Sequence, residues 1–476
     1  MRHGQGRQLV RAFALTLASA LLWGVAHLAT GRRFTGGVLA TAYTVVFMGI
    51  GLCATRWRGH VAELAVQPDW LTLMMIGCLV LAVCWTLVIA VSWRLVRPEG
   101  LGAPSRILAV GAVTGLCLVI AAPFAFAAHN TLVARDTLTA IFGGHADKGD
   151  GRVLAGKKRL NVLLLGGDSG RNRFGVRTDS VTLASVDTRT GDTVLLGLPR
   201  NLEHVPMPQG PARQRFPDGF AGDGALTPGL LNEVYQYAEE HPEMVPGVPD
   251  GKRGPALIKQ TVAGVLGLPV DYYVLADMKG FAQLVDAMGG VWLRIPEDIT
   301  FGKYDEGRLA AGYRRLSGTE ALWYGRSRTF SSDYVRMARQ KCLLRAIARQ
   351  ADPGRVLTRF EQLAVAARHT IATDVPQKML PSLLKLAGRV KDGGKITSLQ
   401  FTPPLIDTSA PDWALIQRLS AQALASPSRK AADALHGTAE GSAAARKANV
   451  DDASSGGAAP SPADGAATSL DATCPS

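Results

Sequence analysis

Three long apolar segments near the N-terminus constrain the fold of this chain more strongly than any other feature. They run at about Gly37–Ala54, Leu71–Val91 and Ile107–Ala128, and no secretory signal with a small-residue cleavage site is apparent. A membrane-crossing helix needs about 20 mostly apolar residues, and none of the three segments contains a charged side chain. The sequence therefore predicts a multi-pass membrane protein, and its 476 residues leave room for a globular domain and a tail.

A shorter apolar segment, Phe13–Leu28, decides the predicted orientation. We treat it as a re-entrant or interfacial helix, because three spans then place eight arginines in the cytoplasm, whereas four spans divide the positive charge evenly. Those arginines are Arg2, Arg7, Arg11, Arg32, Arg33, Arg94, Arg97 and Arg106. The chain after about His129 is then expected outside the cell membrane. Most basic residues beyond the spans, in a chain of net charge +13, would face the wall, so nucleic acid is not an expected partner.

The rest of the chain divides by composition. Residues 1–129 form the membrane region and residues 130–158 a membrane-proximal linker. Residues 159–422 alternate short strands with amphipathic helices, the pattern of one α/β domain. After Ser426 the sequence is mostly Ala, Ser, Gly and Pro, so residues 423–476 are predicted to be a disordered tail. Four cysteines lie in apolar segments, and Cys342 and Cys474 are far apart, so no disulfide framework is expected.

Two acidic and two basic residues surround a predicted β-hairpin. The runs Val162–Leu165, Val181–Val186 and Val194–Leu198 read as strands, with a polar turn between the last two. If Asp187 pairs with Asp192, antiparallel counting places Asp179 opposite Arg200. Asp168 leaves the first strand just before Arg177 and Asp179 enter the second. All four side chains are therefore predicted to gather at one sheet edge.

This group has a chemical and a purely structural interpretation. Paired carboxylates suit a hard cation such as Mg²⁺, and guanidinium forks suit phosphate, which together predict a site for a metal-bound phosphate ester. However, Asp after Gly-Gly is commonly a turn former, and Arg beside a strand is commonly solvated. The hairpin alone does not separate the two.

A second cluster of arginines follows a helix start. Ser317 and Glu320 have the spacing of a capping box, and the helix they begin is expected to lead into an extended Arg326-Ser-Arg328 segment. Asp333 is a plausible N-cap for the next helix, on which Arg336 and Gln340 share one face. The buried face of that helix is predicted from the apolar positions Val335, Ala338, Cys342 and Ala346. Three arginines and a helix N-terminus could converge on phosphate, although arginine-rich helices are commonly solvated surface.

Two further helices are predicted at Ala256–Leu266 and Met278–Met288. Their apolar stripes are Val262, Val265 and Leu266, then Phe281, Leu284, Val285 and Met288. Such stripes ordinarily pack in the core, and they could also form the wall of an acyl-chain tunnel.

These motifs, in this order, resemble the LytR-CpsA-Psr family between about Leu160 and Ala348. The matching segments are Asn161 to Asp168, Arg177-Thr-Asp179, Leu198-Pro-Arg200, Leu231-Asn232, Gly267 to Tyr273, Gly280-Phe281, Val285 to Gly290, Leu316 to Ala321, Arg326-Ser-Arg328 and Asp333 to Gln340. The resemblance implies a central mixed sheet flanked by helices, with a hydrophobic pocket for an isoprenoid. It also implies a phosphotransferase that moves a wall glycopolymer from a polyprenyl-pyrophosphate carrier to peptidoglycan, with possible pyrophosphatase activity.

The resemblance also implies the roles of site residues. Asp168 and Asp179 match the family's metal-binding aspartates, with Mg²⁺ expected and Mn²⁺ as the alternative. The matches to its pyrophosphate-binding side chains are Arg177, Arg200, Arg326, Arg328, Arg336 and Gln340. Of all these, Arg177, Asp179, Arg326 and Arg328 are expected to be catalytic. No residue is an obvious general base, since Asp333 is better explained as a helix cap.

Two departures from the family and two rival functions remain. Asn201 stands where the family commonly has Asp, and Leu230 where it commonly has Lys, so acceptor handling or rate could differ. A non-catalytic chain would bind polyprenyl phosphate and regulate envelope synthesis, in line with the family's older label of transcriptional attenuator. A structural chain would be a membrane-anchored scaffold. Retention of both aspartates and of the arginines favours the enzyme.

Overall fold

The computed structural model describes residues 2–56, 67–99, 102–142, 156–168, 177–224, 227–302, 307–327, 333–351, 371–425 and 467–474. These residues fall into two compact units, Met1–Thr139 and Ala140–Ser476. The predicted Arg328 lies outside the described residues, as do residues 143–155 of the predicted linker.

The N-terminal unit is helical. Its helices are α1 (Arg2–Leu21), α2 (Val25–Ala29), α3 (Arg33–Arg56), α4 (Pro68–Val96) and α5 (Ala103–Phe142). Three of them are long and apolar enough to cross a membrane, at Arg33–Cys53, Asp69–Val96 and Ala103–Asp136, which confirms the three predicted spans as helices. The boundary placed at residue 129 falls inside α5, which continues without a break to Phe142.

The shorter first segment behaves differently from these three. Helix α1 stops at Leu21, and the chain turns at Gly24, whose φ of 93° is in the left-handed region that favours glycine. Helix α1 packs against α4, where the Trp85 indole nitrogen donates a hydrogen bond to the Ala20 carbonyl oxygen at 2.8 Å. Phe13 stacks on Trp93 with ring centroids 5.1 Å apart. The first segment is thus a broken helix held by a neighbouring one.

The C-terminal unit is built on a seven-stranded mixed sheet with the order β11-β10-β3-β2-β1-β4-β9. Its strands are β1 (Arg159–Asp168), β2 (Arg177–Asp187), β3 (Thr193–Leu198), β4 (Tyr272–Asp277), β9 (Ile371–Thr373), β10 (Ile396–Gln400) and β11 (Thr468–Ser469). Two separate ribbons pair β5 (Val291–Ile295) with β8 (Gly312–Leu316) and β6 (Ile299–Phe301) with β7 (Gly307–Leu309). The expected α/β class and central mixed sheet are confirmed.

The register of the central strands agrees with the counting made on the sequence. Strands β2 and β3 pair antiparallel, with Val181 opposite Leu198, and the Asp187 amide donates to the Asp192 carbonyl oxygen at 2.8 Å. Strand β1 pairs antiparallel with β2 and parallel with β4. The polar ends of β1, β2 and β4 therefore meet at one edge of the sheet.

Helices cover both faces of the sheet. They are α6 (Pro211–Arg215), α7 (Val234–Glu240), α8 (Arg253–Leu266), α9 (Met278–Ala287), α10 (Gly318–Arg326), α11 (Asp333–Gln350), α12 (Leu380–Asp392), α13 (Trp413–Ala425) and α14 (Leu470–Thr473). Val262, Val265 and Leu266 of α8 pack in the main core with Leu163 and Leu183, which lie on one face of the sheet. The opposite face carries Leu164, which lines a cavity described below.

Part of the predicted disordered tail is an ordered element of the domain, which corrects that prediction. Helix α13 extends to Ala425, and Thr468–Ser469 forms an edge strand against β10. Cys474 is joined by a disulfide to Cys342 of α11. The expectation that these two cysteines would not form a disulfide was therefore wrong. The two cysteines are 132 residues apart in the sequence, and the fold brings their Cα atoms to 5.4 Å.

Candidate active site

Asp179 is placed by a β-bulge at the polar edge of the sheet. Gly166 pairs with Ser180 and Gly167 with Thr178, so Asp179 is the extra residue of β2. A bulge bends the strand and redirects the side chain it carries, a common device beside binding sites. Asp179 Oδ1 accepts a hydrogen bond from Arg200 Nη1 at 2.6 Å, as the predicted register requires. The backbone of Asp168 lies opposite Arg177 at the same edge.

Helix α11 brings Arg336 and Gln340 to Asp179. Arg336 lies near the start of the helix, is only 3% exposed, and donates from Nη1 to the Asp179 carbonyl oxygen at 3.0 Å. One turn later, Gln340 accepts a hydrogen bond from Ser180 Oγ at 3.2 Å and donates one to the Gly325 carbonyl oxygen at 3.0 Å. Gln340 thereby ties β2 to the C-terminal end of α10. The predicted shared face of Arg336 and Gln340 is confirmed.

The buried face of α11 differs from the prediction at one end. Ala346 is buried as expected, but Val335 is 39% exposed. The face is completed by Met337 and Leu343 and by the buried guanidinium of Arg339, which donates to the Ser327 carbonyl oxygen at 3.4 Å. The prediction used apolar side chains alone, so it did not include the buried Arg339.

Arg326 ends a helix instead of lying in an extended segment, which corrects the predicted Arg-x-Arg geometry. The Ser317–Glu320 capping box is present, and α10 continues through Arg326 because its hydrogen-bonded turns reach the Ser327 amide. The Arg326 guanidinium lies 5.6 Å from the centre of the Trp323 ring and contacts the Met278 sulfur at 2.6 Å. Arg326 therefore reaches the site from a helix C-terminus.

Arg177 has a buried acidic neighbour that sequence reasoning missed. Glu233 is 3% exposed, and its Oε1 lies 3.9 Å from Arg177 Nη2. Its Oε2 accepts hydrogen bonds from the amides of Gly229 and Leu230 at 3.0 and 3.2 Å. A carboxylate fixed by two amides gives Arg177 a stationary counter-charge. In the sequence, Glu233 directly follows Leu231-Asn232, a segment that matches the family, and this neighbourhood was the signal that could have identified it.

A cavity of about 860 Å³ opens beside these side chains. Its polar lining includes Arg177, Asp179, Arg200, Arg326, Arg336 and Gln340. The remainder is largely apolar, from the sheet (Leu164, Val274), from α9 (Phe281, Leu284), from α10 (Leu322, Trp323) and from α11 (Leu343, Ile347). Six of the predicted polar site residues thus converge on one cavity. The apolar stripe of α9 has two environments, since Phe281 and Leu284 line the cavity whereas Val285 is fully buried in the core.

Charge and burial shape the polar end of this cavity. Lys341 lines a small recess together with Asp179, Arg200 and Arg336, and burial lowers the pKa of its ammonium group. Asp277, which also lines the cavity, caps α9 by accepting from the Gly280 amide at 2.7 Å. Among the described side chains, no group of three or more His, Cys, Asp or Glu residues could hold a metal ion. The basic groups at the cavity mouth outnumber the acidic ones.

Comparison with known proteins places this geometry in a family. The model of the LytR_cpsA_psr family matches residues 128–424. The polyisoprenyl-teichoic acid--peptidoglycan teichoic acid transferase TagU of Oceanobacillus iheyensis is 28% identical over 232 residues, which are 48% of this chain and 62% of that protein. TagU of Enterococcus faecalis is 28% identical over 229 residues, 47% of this chain and 63% of that protein. The chain thus spans less than two thirds of the length of either relative.

Among solved structures, B. subtilis TagV is 20% identical and is matched over 56% of this chain and 96% of its own, with a TM-score of 0.40. The family match extends from within α5 to the end of α13 and covers more than half of the chain. This chain belongs to the LytR_cpsA_psr family.

Proposed function

We propose that this chain is a membrane-anchored phosphotransferase that moves a glycopolymer from a polyprenyl-diphosphate carrier to peptidoglycan. The observation that carries the proposal is the cavity itself, whose apolar walls end in a mouth of four arginines and Asp179. A polyprenyl diphosphate has the same division, a long apolar chain attached to a group of concentrated negative charge. The names of the TagU relatives support this substrate class.

The arginines at the mouth have the chemistry to hold a diphosphate. A guanidinium presents several N–H donors in a plane and matches phosphate oxygens in pairs. Arg336 is buried and bonded to the Asp179 carbonyl oxygen, so its guanidinium is positioned before any ligand arrives, and Arg177 lies 3.9 Å from the buried carboxylate of Glu233. Such preorganised charge stabilises a phosphoryl-transfer transition state without costly rearrangement.

The acidic residues at the sheet edge fit a magnesium ion shared with the substrate. Mg²⁺ is usually held by one or two carboxylates together with phosphate oxygens and waters, so a full cage of protein ligands is not required. Asp179 lines the mouth, and the register places the backbone of Asp168 at the same edge. In this proposal Asp168 and Asp179 hold Mg²⁺, or Mn²⁺ in its place. When bound, the ion neutralises charge on the diphosphate oxygens.

The transfer step then breaks the phosphoanhydride bond of the carrier and forms a phosphoester bond to the acceptor. A sugar hydroxyl oxygen of peptidoglycan bonds to the phosphorus that carries the glycopolymer, and the bond from that phosphorus to the bridging oxygen breaks. The bridging oxygen leaves with polyprenyl phosphate, and the hydroxyl proton passes to water at the mouth. Arg177, Arg326 and Arg336 face the charge that develops on the transferring and leaving groups. Water in place of the sugar hydroxyl would give pyrophosphatase activity.

The proposed location is the outer side of the cell membrane, with several membrane-spanning helices before the domain. Three helices have the length and composition to cross a membrane. A disulfide joins Cys342 to Cys474 in the domain, and disulfides persist mainly in oxidising compartments outside the cytosol. The helices support a membrane anchor, and the disulfide supports an extracytoplasmic domain, where peptidoglycan is available.

The test is release of polyprenyl phosphate from a lipid-linked glycan by the detergent-solubilised full chain, followed by thin-layer chromatography. Product is expected with Mg²⁺ and peptidoglycan and is expected to be lost with a chelator. Asp179→Ala should lower the rate by about a hundredfold or more, the effect of removing one electrostatic group from a transition-state site. Asp218→Ala, which changes an exposed aspartate on a loop, is the matched control.

Two results would contradict the proposal. Equal rates for Asp179→Ala and the wild type would show that Asp179 has no role in the reaction. Tight binding of the lipid by the wild type without any product would instead favour a regulator that senses polyprenyl phosphates.

A further inference from the structure

The ribbon of β5 and β8 exposes large aromatic side chains in a unit that otherwise buries them. Among the described residues of the C-terminal unit, only three large apolar side chains are exposed, and two of them are Trp292 and Tyr313. These two rings stack on each other, with centroids 5.4 Å apart and planes 19° apart. Adjacent exposed aromatic groups are a marker of a binding surface, whereas single exposed groups are ordinary.

The same face of the ribbon carries positive charge. In the antiparallel register Trp292 lies opposite Arg315, and Arg294 lies opposite Tyr313, so all four side chains project from one face. All four are exposed, while Val291, Leu293 and Ile295 between them are buried. Neither strand contains an acidic residue. The exposed face thus alternates aromatic rings with guanidinium groups.

The ribbon is held rigidly at its outer edge. Gln350, the last residue of α11, accepts a hydrogen bond from the Trp292 amide at 2.8 Å and donates one to the Trp292 carbonyl oxygen at 2.6 Å. The buried face of the ribbon packs on α10 and α11 through residues that include Val291, Leu293 and Leu343. A surface fixed in this way loses little conformational freedom when a ligand binds.

We infer that this face is a second binding surface, separate from the cavity, and that it binds the peptidoglycan strand. The C–H face of a sugar ring is apolar and stacks on the electron-rich face of an aromatic ring. The carboxylates of peptidoglycan stem peptides match the guanidinium groups beside the rings. An amphipathic strand with carboxylates at intervals therefore complements a face on which rings and arginines alternate.

The position of the ribbon agrees with an acceptor role, and this part of the inference rests on the proposed function. Strand β8 ends at Leu316, and α10 then leads to Arg326 at the cavity mouth. A helix of nine residues is about 14 Å long, so the ribbon is within reach of a strand of several sugars that also enters the mouth. The donor is already held by its diphosphate and its apolar chain. The acceptor is the partner that needs an additional surface.

The experiment is co-sedimentation of the detergent-solubilised full chain with insoluble peptidoglycan from which attached polymers have been removed. The wild type should pellet with it, and Trp292→Ala should bind about tenfold more weakly, the loss expected from one aromatic contact. Arg315→Gln, which leaves the packing intact, should weaken binding and reduce its dependence on salt. Val335→Ala changes the third exposed apolar side chain and is the matched control.

Other occupants are tested in parallel with vesicles that contain phosphatidylglycerol and with a soluble phosphate-containing glycan. Preferential binding to either of these, or wild-type binding to peptidoglycan by both Trp292→Ala and Arg315→Gln, would overturn the inference. Failure of the proposed function is a separate result, because it appears as absence of product from the wild type. Peptidoglycan binding that depends on Trp292 and Arg315 would still support the surface in that case.

Discussion

At the scale of single residues, Arg336 is a buried charge at the end of a helix that disfavours it. Its guanidinium is 3% exposed and lies near the N-terminus of α11, where the partial positive charge of the helix disfavours a cation. Burial of a charge is costly unless hydrogen bonds compensate, and here one of them is the bond to the Asp179 carbonyl oxygen. The arrangement maintains a positive potential at the cavity mouth, and a bound phosphate would relieve its cost.

The first prediction at this scale concerns the shape of that cation. Arg336→Lys keeps the charge and loses the planar fork, so we expect diphosphate-lipid binding to weaken by about 1.5 to 3 kcal/mol, the range for a hydrogen bond to a charged group. The measurement is the affinity of the purified chain for polyprenyl diphosphate. Arg418→Lys on the exposed side of α13 is the control. Equal affinities for Arg336→Lys and wild type would show that Arg336 only screens charge.

At the scale of secondary-structure elements, the disulfide fastens the helix of the site to the edge of the sheet. Cys342 lies two residues after Gln340 on α11, and Cys474 follows β11, which pairs with β10. Strand β11 makes only a short pairing, Thr397 with Ser469 and Ser398 with Thr468. The covalent link and the fully buried side chain of Leu470 therefore hold this segment against the domain.

The second prediction follows from that link. A bond that closes a loop of this length stabilises a fold by about 4 to 5 kcal/mol in the chain-entropy description. Cys342→Ser and Cys474→Ser should each lower the thermal midpoint of unfolding, and the two decreases should be equal because either change removes the same bond. A reductant should lower the thermal midpoint of the wild type to the value of these variants. Cys53→Ser, a change at a free cysteine, should have no effect. Unequal effects of the two single variants would mean that one cysteine has a role besides the disulfide.

The elements that sequence could predict are those set by local pattern. The three central strands, the register of Asp179 with Arg200 and the Ser317 capping box all follow from alternation, turn chemistry and spacing. Long-range features did not follow. The bulge at Asp179 and the edge strand from a low-complexity tail depend on contacts between distant segments. Glu233 was missed for the same reason, since its burial becomes evident only in the fold.

At the scale of the whole molecule, the two units differ in how much apolar side-chain surface they expose. In the N-terminal unit many large apolar side chains are exposed, as expected for helices that face lipid. In the C-terminal unit such exposure is confined, among described residues, to the β5–β8 ribbon and Val335. One chain therefore combines a unit suited to lipid with a unit suited to water, and the proposed substrate combines the same two properties.

The last prediction concerns the orientation of the chain. Three spans with a cytoplasmic N-terminus place Arg97, at the end of α4, inside the cell and Ala410, on an exposed loop of the C-terminal unit, outside. An Ala410→Cys variant should react with a membrane-impermeant maleimide in intact cells, whereas Arg97→Cys should react only after permeabilisation. Both variants are made in a background whose four free cysteines are replaced by serine, so that reagent entering the spans gives no signal. Labelling of Arg97→Cys but not of Ala410→Cys in intact cells would reverse the topology and separate the domain from its proposed acceptor.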